Sequence, residues 1–126
     1  MIFDVNKFLN NRLTNHNFKI NIKDRVFPLV AENSTIYPFV VYTRQQTEFN
    51  TISKDNLNDI SLFDISIVTD KYSDATSISN EVFDLFNNTQ NTTFNIDWIQ
   101  VTNITESYEN NAFVFTITVM ITHTNN

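Results

Sequence analysis

Two prolines and no glycine punctuate the 126 residues of this chain. Both prolines fall in residues 26–42, VFPLVAENSTIYPFVVY. An apolar tip ends at Pro28, a polar loop follows, and Pro38 launches Phe39, Val40, Val41 and Tyr42 as a strand. Proline fixes its own φ and pushes the residue before it into extended geometry, so both prolines mark strand boundaries rather than interrupt helices. The missing glycine removes whole reaction classes. A P-loop, a dinucleotide fingerprint and a nucleophile elbow each need glycine where the backbone meets a ligand or takes positive φ. Asparagine, abundant here, can replace glycine in turns but not in those motifs.

Periodicity supplies the rest of the framework. Ile2, Val5, Leu9 and Leu13 form one helical stripe with Phe8 on its edge, and Asp4 and Arg12 suit the helix dipole, which predicts a helix over 2–14. Phe18, Ile20 and Ile22 alternate with polar residues as a half-buried strand or extended arm running to Pro28. Strands are expected over 39–47 and 60–69, the latter with Phe63, Ile65 and Ile67 on one face. Ala75, Ile78, Val82, Leu85 and Phe86 make the clearest helical stripe, over 73–87, and 87–93 reads as a turn-forming linker. Phe94, Ile96 and Trp98 alternate before the pattern slips to Ile99 and Val101, the signature of a β-bulge in a strand over 94–104. A turn over 106–111 follows. The last strand, 112–123, is the strongest: Phe113, Phe115, Ile117, Val119 and Ile121 hold an unbroken period of two. Its other face, from Val114 to Thr122, is semi-apolar, which predicts partial cover by a helix or another subunit. The expectation is one α+β domain spanning 1–126, a mostly antiparallel sheet with an N-terminal helix and one central helix packed on it.

Composition narrows the chemistry. With no cysteine, disulfides, thiol catalysis and Cys-based zinc sites are excluded. No apolar run approaches the ~20 residues of a membrane span, and the N-terminal MIFDVNKFLNNRL has no signal-peptide pattern, so the chain is expected to stay in the cytoplasm where it is made. The net charge of −6 is uneven. Residues 1–54 hold seven basic residues against four acids, +3, and residues 55–126 hold Lys71 against ten acids, −9. Tight phosphate binding needs clustered Lys and Arg, which the second half lacks. Such a split is a solvated acidic surface, or two signs that meet across subunit contacts, or an acidic wall facing something negative that must not stick.

No catalytic constellation stands out. His16 lies in a loop and His123 near the C-terminus; both read as ordinary exposed residues, at no metal-pair spacing. Asp64, Asp70 and Asp97 flank strands, but no Asp/Glu-x-Lys pattern accompanies them, so structural acids are the better reading than a magnesium-dependent nuclease. The aromatic strands, Trp98 included, are flanked by Asp, Asn and Thr rather than Lys and Arg, and read as core rather than a nucleic-acid platform. Neither enzyme nor cofactor is expected.

Residues 44–59, RQQTEFNTISKDNLND, are long, polar and weakly periodic, the properties of a functional or mobile loop within a long hairpin. They nevertheless carry Phe49, Ile52 and Leu57, which a purely solvated loop would not need. Either these tuck back onto their own sheet, or they order under a neighbouring subunit, with Arg44 and Lys54 pairing acids across the contact. Arg44, Phe49, Ile52, Lys54 and Leu57 are therefore the candidate interface residues.

The order of elements resembles the tail-completion, or tail-terminator, family of tailed bacteriophages. Its most characteristic pieces here are PFVVY at 38–42 and the strand-to-helix join DISIVTDKYSDATSISNEV at 64–82, and the resemblance spans nearly the whole chain. Family members often carry glycine before the Pro-aromatic strand, where this chain has Glu32, Asn33 and Ser34. The resemblance implies a virion structural protein of the tail or neck, without membrane contact. It implies a homo-oligomeric ring of six or twelve copies at the head–tail junction, touching other tail, neck or portal proteins, while DNA passes through without tight binding. A small non-enzymatic bacterial adaptor or binding module is the alternative, distinguished by self-association.

Overall fold

Strict alternation in the third and last strands sets the sheet, and two amphipathic helices cover one of its faces. The computed structural model describes residues 2–22, 25–32, 35–49 and 58–124. In chain order the elements are α1 (Asp4–Asn15), β1 (Val26–Pro28), β2 (Phe39–Glu48), β3 (Asn58–Thr69), α2 (Tyr72–Phe86), β4 (Thr89–Asn91), β5 (Ile96–Glu109) and β6 (Ala112–Thr124). They form one six-stranded sheet of order β1-β2-β3-β6-β5-β4. Among the described residues β1 and β2 pair in parallel and the other neighbours are antiparallel. The fold is α+β, with an N-terminal and a central helix on a mostly antiparallel sheet.

Because side chains alternate across a strand, cross-strand partners share a face. One face carries the rows Val40–Ile67–Phe115, Tyr42–Ile65–Ile117, Arg44–Phe63–Val119 and Thr47–Ser61–Ile121 across β2, β3 and β6. Both helices pack on it. Helix α1 buries Val5, Phe8, Leu9 and Leu13, and α2 buries Ala75, Ile78, Ser79, Val82 and Phe86. The helices meet where the edge of Phe8 approaches Phe86, 6.3 Å between ring centroids, and Phe94 closes the same corner. Each of these large apolar side chains contributes about 1.5–3 kcal/mol by leaving water. Arg12 Nη1 donates to Leu85 O at 2.9 Å, placing a cation at the C-terminal end of α2, where the helix dipole favours it.

Asparagine does the work of the missing glycine. Among the described residues five take positive φ, and four of them are asparagines: Asn88, Asn95, Asn110 and Asn111. At φ 51° and 64°, Asn110 and Asn111 form a two-residue hairpin turn between β5 and β6. This explains a difference from the sequence reading. The expected turn over 106–111 contracts to two residues, so β5 runs on to Glu109 instead of stopping near 104. The linker over 87–93 contains the short strand β4, and the apolar tip at Val26 is β1, paired along β2.

Two positions fall differently from their sequence reading. His123, expected at the surface, is 1% exposed, because it continues the inward phase of β6 and lies across from Asp59. Trp98, expected in the core, is 46% exposed, because the register shifts between Ile96 and Trp98 and turns the indole to the other face. A second shift lies between Val101 and Asn103.

Candidate interaction surfaces

Of the five candidate interface residues, two lie within the described part of the structure. Arg44 sits on the helix-covered face of β2, half-buried at the N-terminal end of α1. Its Nη2 donates to Ile2 O at 3.1 Å and to Asn6 Oδ1 at 2.7 Å, and its Nη1 donates to Ser61 Oγ at 3.0 Å and to Thr47 Oγ1. The guanidinium lies over Phe63, 4.8 Å from the ring centroid, and near Phe3 at 5.5 Å. Burial lowers its pKa from the ordinary arginine value. Thr47 and Ser61 hydroxyls lie 2.8 Å apart, and Ser61 Oγ is 2.7 Å from His123 Nε2. Thus Arg44 engages neutral acceptors of its own subunit in a network closed beneath α1. Phe49, just past the end of β2, is 61% exposed. Ile52, Lys54 and Leu57 lie outside the described residues.

The second sheet face carries neither helix. Its rows, read from β2 to β5, are Phe39–Val68–Val114–Ser107, Val41–Ser66–Thr116–Thr105, Thr43–Asp64–Thr118–Asn103, Gln46–Leu62–Met120–Gln100 and Glu48–Ile60–Thr122–Trp98. The two ends are apolar and the middle is polar. Asp64 anchors that middle: its Oδ1 accepts from Thr118 Oγ1 at 2.7 Å and Gln45 Nε2 at 2.6 Å. Asp97 accepts from Thr124 Oγ1 at 2.8 Å, several rungs away, and Asp70 follows the far end of β3. The register therefore separates the three carboxylates that the sequence left as a conceivable metal cluster, and among the described residues no group of three potential ligands gathers.

Two further surfaces lie at opposite lateral edges of the sheet. At the β1 edge, Leu29, Val30 and Ile36 in the connection from β1 to β2 are each 71% exposed. Leu29 holds φ 70°, fixed by its N–H donating to Tyr42 O at 2.9 Å. Towards the other edge, α2 covers β3 and β6, and the hairpin of β5 and β6 overhangs it. Ile104, Glu106 and Tyr108 extend the rows of Ile117, Phe115 and Phe113 on the helix-side face yet remain exposed. A groove of about 390 Å³ runs between α2 and this hairpin, lined by Thr76, Ser79, Asn80, Phe83, Ile104, Glu106 and Phe115. Tyr72 closes one end. Its ring edge meets Phe113 and Phe115, and its hydroxyl donates to Glu106 Oε1 at 2.7 Å, a bond that, with desolvation and the carboxylate charge, raises its pKa.

Sequence reasoning missed these edge surfaces. Reading 106–111 as a turn concealed Tyr108, and the helix-side phase of Ile104 follows only once the second register shift is known. A broader depression of about 600 Å³ lies by the C-terminal ends of α1 and α2 and includes Arg12, His16 and Asp84. His16 Nε2 is 3.0 Å from Glu81 Oε1. Among the described residues no helix is long and apolar enough to cross a membrane. Comparison of the sequence with protein-family models and with curated proteins gives no match.

Proposed function

We propose that this chain is a virion structural protein of a tailed bacteriophage, assembling as a homo-oligomeric ring at the head–tail junction. There it would complete or terminate the tail and leave an axial path for DNA. The layout of uncovered surface carries the reading. A ring subunit must offer one patch to the copy on its left, a different patch to the copy on its right, and further surface to the parts above and below. This subunit has apolar patches at both lateral edges of its sheet, and a second sheet face without a helix. The order of its elements, from the N-terminal helix through the Pro-aromatic strand to the final hairpin, resembles that of tail-completion proteins. The −9 charge of residues 55–126 suits a wall past which DNA slides without condensing on it.

Native mass spectrometry and negative-stain electron microscopy of the concentrated protein test self-assembly. One closed oligomer with a central opening is the expected result. Open filaments, or a chain that is monomeric both when concentrated and in the presence of tail and neck components, would favour the adaptor reading instead.

A further inference from the structure

We propose that copies of this chain join head-to-tail through a single contact: Leu29 and Val30 of one copy seat in the groove between α2 and the β5–β6 hairpin of the next. This rests on the ring reading for its closure, but not for the contact itself.

Four observations meet at this pair of surfaces. The first is position. The sheet order places the β1–β2 connection at one lateral edge and the overhanging hairpin towards the other, so one copy cannot satisfy its own groove. Two unlike patches on opposite sides are what a heterologous contact requires, whereas a two-fold dimer would use one patch twice.

The second is shape and polarity. The groove exposes Ile104 beside Phe83 and Phe115, and exposed Tyr108 lies further along the same hairpin, against Phe113. Ser79, nine-tenths buried, lines it with a hydroxyl that has no hydrogen-bond partner. A buried hydroxyl without a partner carries a desolvation penalty that an incoming backbone group would relieve. Along the same wall, residues 102–109 pair among the described residues with β6 on one side, and β4 meets β5 around Ile96 and Ile99. That outer edge has no lysine and no proline, and its irregularities are the register shift at Val101–Asn103 and the helix-side Glu106.

The third is the loop itself. A bulky apolar residue at positive φ is uncommon and strained, and Leu29 is held there with its side chain in water. The bond from Leu29 N–H to Tyr42 O holds the backbone there, and the apolar side chain it leaves exposed is one that a groove on a neighbour would cover.

The fourth is charge. The edge bearing Leu29 belongs to the +3 part of the chain and the groove to the −9 part. Arg25, at the foot of β1, is anchored on the neutral carbonyls of Pro38 and Asn21 at 2.9 Å each. Glu106 stands on the hairpin wall. A second copy of this chain thus supplies the apolar knob and, in Arg25, one cation to face Glu106, with Glu32 further along the same connection.

Because the chain has no cysteine, the contact can be trapped cleanly. The full-length double variant Val30→Cys/Ile104→Cys changes two exposed positions, and circular dichroism checks that the fold is kept. Under catalysed oxidation it should give a ladder of covalent oligomers ending at one closed species. Each single variant has one thiol and should stop at dimers, and a mixture of the two single variants should give the mixed dimer. A second pair, Leu29→Cys/Tyr108→Cys, should behave alike. If neither double variant exceeds its single-variant controls, the contact is wrong. Should electron microscopy still show rings in that case, the ring reading survives and uses other surfaces. A ladder that never closes would instead uphold the contact and overturn the ring.

Discussion

Replacing Arg44 by methionine should destabilise the subunit by about 2–3 kcal/mol, and the geometry supports that size. The guanidinium makes four hydrogen bonds, to Ile2 O, Asn6 Oδ1, Ser61 Oγ and Thr47 Oγ1, and lies over Phe63. Hydrogen bonds to a charged group are worth roughly 1.5–3 kcal/mol each, and a partly exposed cation–π contact about 0.5–1 kcal/mol. The full sum is not expected. Arg44 is only half-buried, Asn6 and Ile2 O can rehydrate, and Ser61 and Thr47 still hold each other and His123. Methionine retains the stem that packs on Phe63. Arg44→Lys keeps the charge but loses the planar fork, and should cost roughly 1–2 kcal/mol. Equilibrium urea unfolding followed by circular dichroism reads these values. With a slope of about 2 kcal/mol per M, the methionine variant should shift the midpoint by roughly 1–1.5 M at unchanged slope. A shift below about 0.3 M would mean that water already satisfies the guanidinium, and the account of Arg44 as an internal tie between α1 and the sheet would be refuted.

Further outcomes follow from single residues. Asn111→Gly should raise stability by about 0.5 kcal/mol, because its φ of 64° suits glycine, while Asn111→Val should lower it by roughly 1–2 kcal/mol; opposite signs in urea unfolding would contradict the turn. In Glu106→Gln the Tyr72 phenol, now raised by its bond to that carboxylate, should titrate closer to the ordinary tyrosine value. Since the neutral phenol is the favoured form, its contribution to stability is present below the ordinary tyrosine range and fades as pH rises through the raised value. An unmoved Tyr72 signal in an NMR titration would dismiss the pair. Phe49→Ser should change unfolding stability by less than about 0.5 kcal/mol while blocking incorporation into particles; normal incorporation would remove Phe49 from the interface. Duplex DNA should bind more weakly than micromolar at ~150 mM salt by fluorescence anisotropy, and submicromolar binding there would contradict the acidic wall.

The sequence made the sheet legible wherever the alternation was long. The inward phase of β6 runs unbroken from Phe113 to Ile121, and extending it by one step places His123 inside. Its position near the C-terminus outweighed that phase, and so the Ser61–His123 pair went unseen. The bulge near Trp98 was visible as a slip of phase, but the same slip reversed the face of the indole. Asparagine was expected to replace glycine in turns, yet its two-residue turn at Asn110 and Asn111 lengthened β5, and with it the hairpin wall. Residues 44–59 read as polar and weakly periodic, and the overlapping strand expected over 39–47 is present as β2, which runs one residue further to Glu48. The edge surfaces around Leu29 and Ile104 depend on strand order, and sequence reading has no access to strand order beyond neighbouring hairpins.

A reconstruction of intact virions by electron cryomicroscopy tests the central claim most directly. The account predicts density for this subunit repeated as one closed ring at the head–tail junction, around an axial channel wide enough for duplex DNA, with the groove of each copy filled by its neighbour. Density for the subunit along the tail shaft, in an open or irregular arrangement, or nowhere in the particle would contradict it.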